Sequence, residues 1–288
     1  LDEIEGRTAP ARFPVVLGHE VVGRIVRLGP GVTQWTIGQR VGVGWIYTSC
    51  GEPLENLSDE FRATGRDVNG GYAEYMCADA RYAYPIPEVF SDAEAAPLLC
   101  AGGIGYRALK LSKITDGDLL GLTGFGGSAH LVLQLTRHLF PQTKVYVFAR
   151  DEQSRRFALE LGAHWAGATE NRSPERLHAI IDTTPAWQPI VEALANLRPA
   201  GRLVINAIRK EEADKDYLNH LVYHDHLWME KEIKSVANIT RKDIAEFLPI
   251  AAEIPIKPRV ETYALEQANR ALVELKHGHV RGAKVIVM

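Results

Sequence analysis

An α/β protein with a β-rich N-terminal part is what this 288-residue sequence predicts. Three observations carry the prediction. Between about residues 15 and 47, short β-branched runs are broken by glycine and proline (VVGRIVRLGPGV, then GQRVGVGWIY), a pattern of strands and tight turns as in a compact all-β barrel. After about residue 118, apolar strands alternate with amphipathic helices, which implies βαβ units and a doubly wound parallel sheet. With 46% apolar and 24% charged residues, the chain has the composition of an ordinary globular protein with enough apolar matter for one large core or two of typical size.

Taken in order, residues 1–10 are polar and read as a loop. The glycine-punctuated strands follow, then a polar, irregular stretch over 51–70. GGYAEYMCADARYAYPIP returns to strand character. Ser91 with Glu94 three residues on is a capping box that opens a helix in SDAEAAPL. Ile104 to Leu111 reads as helix. DLLGLTGFGGSAHLVLQLTRHL is an apolar strand, a glycine turn and a long helix. KVYVFAR is a second strand, and DEQSRRFALELGA a helix closing on Gly162. HAIIDTT, WQPIVEALANL and GRLVINAI continue as strand, helix and strand. Residues 211–236 carry no single pattern. Two further helices (RKDIAEFLPIAAE, LEQANRALVELKHG) and a final strand, AKVIVM, end the chain. No repeat at solenoid periods is present.

Several classes are excluded. A net charge of −3 and a pI of about 6.4 argue against a nucleic-acid or acidic-membrane surface as the main partner. No apolar stretch approaches the roughly 20 residues that span a bilayer, and no basic leader precedes an apolar run. Cys50, Cys77 and Cys100 are too few and too dispersed for a disulfide framework, which fits a reducing cytoplasm. The chain begins at Leu1 without a methionine, so the expectation is that an N-terminal portion lies outside it.

Gly124-Phe125-Gly126-Gly127-Ser128-Ala129 follows a strand and opens a helix. Gly124 allows the tight turn, Gly126 lets backbone approach a pyrophosphate, and Ala129 is small enough for helix and strand to pack closely. The helix N-terminus then presents N–H groups and a positive dipole end to the phosphates. The next strand ends Val147-Phe148-Ala149-Arg150, with Arg155 and Arg156 a helical turn on. An acidic residue there would accept from a ribose 2′-hydroxyl and favour NAD. Guanidinium groups suit a 2′-phosphate instead, so NADP is expected. Asp151 keeps NAD open. Asn206 and Ala207 follow the fourth strand at its carboxyl end, where open α/β sheets bind ligands.

Gly18-His19-Glu20 lies between apolar strands, and Cys100 ends PLLC. Imidazole and thiolate are donors that zinc prefers. Spacing alone does not choose between a metal pair and two satisfied core residues.

GHEVVGRIVRLGPGV, GQRVGVGW, GGYAEY, EAAPLLCAGGIGYRAL, LTGFGGSAH and SVANITR occur in the order found in the medium-chain zinc alcohol dehydrogenases, and over essentially its whole length the chain resembles that family. The resemblance implies a GroES-like β-barrel catalytic domain, residues 1–100 and 240–288, plus a Rossmann domain, residues 101–239, inserted into it and meeting it at a cleft. It implies zinc on His19 and Cys100, with Glu20 as the carboxylate beside the metal that can transiently coordinate it. It implies that Ala237 and Asn238 belong to the segment meeting the nicotinamide carboxamide and that Arg281 meets the cofactor phosphates. The family's first zinc cysteine and its proton relay lie upstream of GHE. Here 18 residues precede His19, with no Cys or His among them. Of the four cysteines of the family's structural zinc lobe only Cys50 has a counterpart, too few for a closed tetrahedral site. His130, His138, His220, His224 and His226 read as surface or packing residues. Trp45 and Tyr72 read equally as cleft lining or as core.

The implied function is reversible hydride transfer between a small alcohol and its aldehyde or ketone, using zinc and NADP or NAD. The expected partners are the substrate and further copies of the chain, with no nucleic acid and no membrane. Two alternatives stand: a zinc-free quinone or enoyl reductase on the same scaffold, against which His19 and Cys100 speak, and a nucleotide-binding protein that has lost catalysis.

Overall fold

The computed structural model describes residues 1–254, 256–277 and 282–288; Arg281 lies outside the described residues. The chain divides into two compact units, Leu1–Gly103 with Asn238–Met288, and Ile104–Ala237. Among the described residues, no helix is long and apolar enough to cross a membrane.

The N-terminal chain forms β1 (Val21–Arg24), β2 (Arg40–Val43), β3 (Ile46–Thr48), β4 (Arg62–Ala63) and β5 (Ala83–Pro85). β2 pairs antiparallel with both β1 and β5, with Val21 opposite Val43 and Tyr84 opposite Gly42. β3 and β4 pair separately. GGYAEYM, expected as strand, lies outside the strands. Its glycines instead let it run tight against the chain around Gly18, as described below. The capping box of Ser91 and Glu94 forms and opens α1 (Asp92–Ala95). A 3₁₀ turn over Ala96–Leu99 and then α2 (Ala101–Ser112) follow.

The second unit is a six-stranded parallel sheet. Its elements in chain order are β6 (Leu119–Thr123), α3 (Ala129–Leu139), β7 (Lys144–Phe148), α4 (Glu152–Glu160), β8 (Trp165–Gly167), β9 (Leu177–Asp182), α5 (Gln188–Asn196), β10 (Leu197–Ile205), α6 (Tyr223–His226) and β11 (Glu232–Ser235). Strand order is β11-β10-β9-β6-β7-β8, the doubly wound arrangement in which order reverses between the first and fourth strands. Leu120, Leu122, Val145, Tyr146, Val147, Phe148, Ile180, Ile181, Leu203 and Val204 are buried, as continuous apolar runs must be when helices cover both faces of a parallel sheet. Each such aliphatic side chain contributes about 1.5–3 kcal/mol of burial free energy. β8 lies between the helix ending at Gly162 and HAIIDTT, where the sequence predicts no strand. Three residues, Trp-Ala-Gly, are too short to show a period.

The first unit is completed by α7 (Arg241–Glu253), β12 (Val260–Ala264), α8 (Ala268–Lys276) and β13 (Ala283–Val287), with β12 and β13 parallel. Thr240 and Asp243 form a capping box at the start of α7, offsetting two of the N–H groups that a helix start leaves unpaired.

Candidate functional site

In the first unit the chain brings His19, Glu20 and Cys100 together: one donor atom from each lies within 4.8 Å of the others. His19 Nε2 stands 3.2 Å from Cys100 Sγ. The Ala101 N–H, in the first turn of α2, donates to Glu20 Oε1 at 3.3 Å.

Glycines make this convergence sterically feasible. Gly18 has φ +93°, and a Cβ there would stand 2.5 Å from the Tyr72 ring. The Gly70, Gly71 and Tyr72 N–H groups donate to the carbonyls of Val16, Gly18 and Leu17. A Cβ on Gly70 would meet the Gly18 carbonyl at 2.0 Å. The GHE and GGY motifs are therefore two sides of one close backbone contact, which aims His19 inward. On the other side, a Cβ on Gly44 would stand 2.7 Å from the Leu99 carbonyl oxygen. Leu99 is fully buried, and Cys100 follows it at the break before α2.

The electrostatics share one cause, burial that penalises charge. Burial lowers the His19 pKa to about 4. The imidazole is therefore neutral at physiological pH, the form that binds metal. Burial pushes Glu20 up to about 7, offset in part by the Ala101 hydrogen bond. Burial and then the Glu20 charge drive the Cys100 thiol well upward, so binding a cation there requires loss of its proton. The donor set fits zinc. In a tetrahedral site with Zn–N and Zn–S bonds of about 2.0 and 2.3 Å, the two donor atoms stand about 3.5 Å apart, close to the 3.2 Å found.

In the second unit Gly124 has φ +75°, and a Cβ on it would meet Thr184 and Thr183 at 2.8 and 2.9 Å. Its N–H donates to the Phe148 carbonyl, tying the glycine turn to the end of β7. Phe125 is buried edge-on against Phe157, while a Cβ on Gly126 would meet nothing within 4 Å. The turn Gly124–Ser128 leads directly into α3 at the sheet's carboxyl edge, with Ala129 buried against it. Asn206 reaches the same edge: its Nδ2 donates to Ser128 Oγ at 3.3 Å. Ala237 follows β11 and is exposed.

The arginines divide. Arg155 Nη1 donates to the carbonyls of both Ala149 and Arg150 at 2.8 Å, so its guanidinium is engaged in shaping the loop. Arg156 pairs with Glu152. Arg150 is exposed at the end of β7. The Asp151 carboxylate accepts from the Ser154 N–H at 2.7 Å and caps α4.

Known proteins agree with this architecture. Residues 2–88 match the model of the "Alcohol dehydrogenase GroES-like domain". A protein of Mycobacterium tuberculosis named "Probable alcohol dehydrogenase AdhA" is 38% identical over 99% of this chain and 83% of its own length. An alcohol dehydrogenase of Geobacillus stearothermophilus is 31% identical over 96% of this chain and 83% of its own length. The solved structure of CAD from Helicobacter pylori complexed with NADP(H) superposes with a TM-score of 0.84 at 25% identity, covering 99% of this chain and 85% of that one. The chain belongs to the medium-chain alcohol dehydrogenase family. It is thus an oxidoreductase of the alcohol dehydrogenase class, built from a GroES-like domain and a Rossmann domain.

Two features of this family member escaped the sequence reading. Trp45 is buried and packs edge-on to His19, ring centroids 4.9 Å apart at 75°. Its Nε1–H donates to Asn238 Oδ1 at 2.9 Å. In the segment corresponding to the cysteine-poor lobe, the buried Glu55 carboxylate accepts from the Arg241 backbone N–H at 2.7 Å, from the Arg241 guanidinium at 3.0 Å and from Ser49 Oγ at 2.9 Å. Arg241 also donates to the Gly51 carbonyl. Both features join residues nearly 200 positions apart, and no local pattern signals them.

Proposed function

We propose that this protein is a zinc-dependent, NADP-linked dehydrogenase that interconverts a small primary or secondary alcohol and its aldehyde or ketone. The observation that carries the reading is the convergence of His19, Glu20 and Cys100 in a chain of this family. When bound, zinc supplies Lewis acidity for the alcohol or carbonyl oxygen, and the nicotinamide nucleotide supplies or accepts the hydride. His19 offers a neutral imidazole lone pair without first losing a proton. Cys100 offers a thiolate after deprotonation. Glu20, the catalytic carboxylate of this reading, sits next to both with a pKa near neutrality and offers an oxygen that can join or leave the metal.

The turn Gly124, Phe125, Gly126, Gly127 and Ser128 receives the pyrophosphate at the start of α3, where backbone N–H groups and the helix dipole favour an anion. Arg150 takes the 2′-phosphate. Arg155 supports it indirectly by holding the consecutive carbonyls of Ala149 and Arg150. Asp151 is engaged as a helix cap, which favours NADP over NAD, and the Helicobacter pylori relative is complexed with NADP(H). Asn206 and Ala237 complete the nucleotide site in this reading. A cytoplasmic location and a homo-oligomeric state belong to the same proposal; light scattering on the purified protein tests the latter.

Zinc analysis combined with NADPH-coupled aldehyde reduction tests the proposal. The unmodified protein should carry zinc and oxidise NADPH when an aldehyde is present, and Cys100→Ala should lose both while still binding NADPH. Full activity in Cys100→Ala would remove zinc catalysis from the reading.

A further inference from the structure

We infer that Asn238 is a positioning residue: its side-chain amide fixes the Trp45 indole against His19 and so sets the orientation of that imidazole. This deepens the metal reading and rests on it. The amide is held at both ends. Its Oδ1 accepts from Trp45 Nε1–H at 2.9 Å, and its Nδ2 donates to the Asn56 carbonyl at 2.9 Å. An indole N–H can only donate and a carbonyl can only accept, so these two partners permit one amide orientation and no flip. The backbone agrees with the residue type. Asn238 has φ +57°, a left-handed conformation that asparagine tolerates better than other side-chain-bearing residues.

The indole is in turn confined. It is buried, the Arg66 guanidinium lies over its ring at 5.4 Å, and the His19 ring meets it edge-to-face. That geometry is favoured by the aromatic quadrupole. Rotation of Trp45 away from Asn238 would release the face that holds His19. Groups that orient a metal ligand contribute to its affinity, and their loss costs roughly 10- to 100-fold.

Three variants separate positioning from mere attachment of the Asn56 loop. Asn238→Gly removes the amide without backbone strain, since glycine adopts φ +57° freely. Trp45→Phe keeps an aromatic ring but removes the donor. Asn238→Asp keeps an acceptor for Trp45 while losing the donor to Asn56. Cobalt(II), as the probe, is titrated against a competing chelator, reading the thiolate charge-transfer and ligand-field bands. The His19 ring protons are followed by NMR in the metal-free protein.

Asn238→Gly and Trp45→Phe should bind cobalt about 10- to 100-fold more weakly with shifted ligand-field bands, and Asn238→Asp should stay within about threefold of the unmodified protein. An affinity and spectrum in Asn238→Gly equal to those of the unmodified protein would overturn the inference, as would equal losses in Asn238→Gly and Asn238→Asp. If the unmodified protein takes up no cobalt, the zinc reading itself fails. The His19 resonances then decide positioning alone: displaced in Asn238→Gly, where the indole itself is retained, they support it, and unmoved there they end it.

Discussion

Gly44 illustrates how much of this site is a matter of space. Its φ lies outside the left-handed region, yet a Cβ would stand 2.7 Å from the Leu99 carbonyl and 2.9 Å from Ile244 Cδ1. Gly44→Ala should push Leu99, and with it Cys100, costing about 1–3 kcal/mol by overpacking. Denaturant unfolding measures the cost, and zinc affinity should fall with it. The sequence showed Gly44 only as a strand breaker, because the atom it must avoid lies more than fifty residues away. His19 and Cys100 were invisible as a pair for the same reason: a separation of 81 residues has no local signature, and only the likeness to a family joined them. Arg150 and Arg155 looked alike as text. Their geometry distinguishes them, since Arg155 is bonded to two carbonyls and Arg150 faces solvent. Arg150→Ser should therefore lower kcat/KM for NADPH by about 10- to 100-fold, the worth of a charge-assisted hydrogen bond. NADH should be little affected; equal losses with both nucleotides would mean that Arg150 does not read the 2′-phosphate.

Elements show a second pattern, in which strong periodicity was readable and close packing was not. The capping box at Ser91 and the long strands of the sheet follow from local chemistry. β8 and the GGYAEY segment do not, because one is three residues long and the other is shaped by contact with Gly18. The irregular lobe over residues 51–61 is held from α7: Glu55 and Arg241 pair across it while Ser49 shares the carboxylate. Removing one partner of a buried pair leaves an uncompensated charge at a cost of about 3–5 kcal/mol. Arg241 is about one-third exposed, so Arg241→Met should cost nearer 2–3 kcal/mol, read as a lowered unfolding midpoint.

The amino ends of β6 and β9 carry a pH dependence. The Leu119 N–H donates to His178 Nδ1 at 3.0 Å, and His178 Nε2 lies 3.1 Å from Asp118. Burial lowers the His178 pKa, Asp118 opposes that, and Arg198 reinforces it. The folded state thus resists a proton that the unfolded chain accepts near pH 6.5. Its contribution is fully present above that value and is lost as pH falls below it, because the unfolded state then binds more protons. His178→Asn, with Oδ1 accepting the same N–H, should flatten the fall in stability between about pH 7 and 5. An unchanged slope would show that other groups carry it.

At the scale of the whole molecule, alternation of strand and helix was enough to fix a doubly wound sheet, since parallel strands need helical crossovers and those crossovers keep one hand. The GroES-like unit was less legible. Its strands are short, its sheets small and its shape set by glycine contacts between distant segments, so its assignment leaned on motifs. The two units also hold different parts of the proposed chemistry: His19, Glu20 and Cys100 in one, the glycine turn and Arg150 in the other. A ligand that binds only the folded form stabilises it by mass action, about 2.7 kcal/mol at a hundredfold excess over Kd. Hydrogen exchange should therefore resolve two separate footprints. Saturating NADPH should slow exchange in the Gly124–Ser128 turn, the first turn of α3 and the end of β7. Zinc added to chelator-treated protein should slow exchange around Leu17–Glu20 and Leu99–Ala101. In Cys100→Ala the zinc footprint should vanish and the NADPH footprint persist. Loss of both footprints together in that variant would show that Cys100 supports the fold as a whole, and the division of labour between the two units would have to be given up.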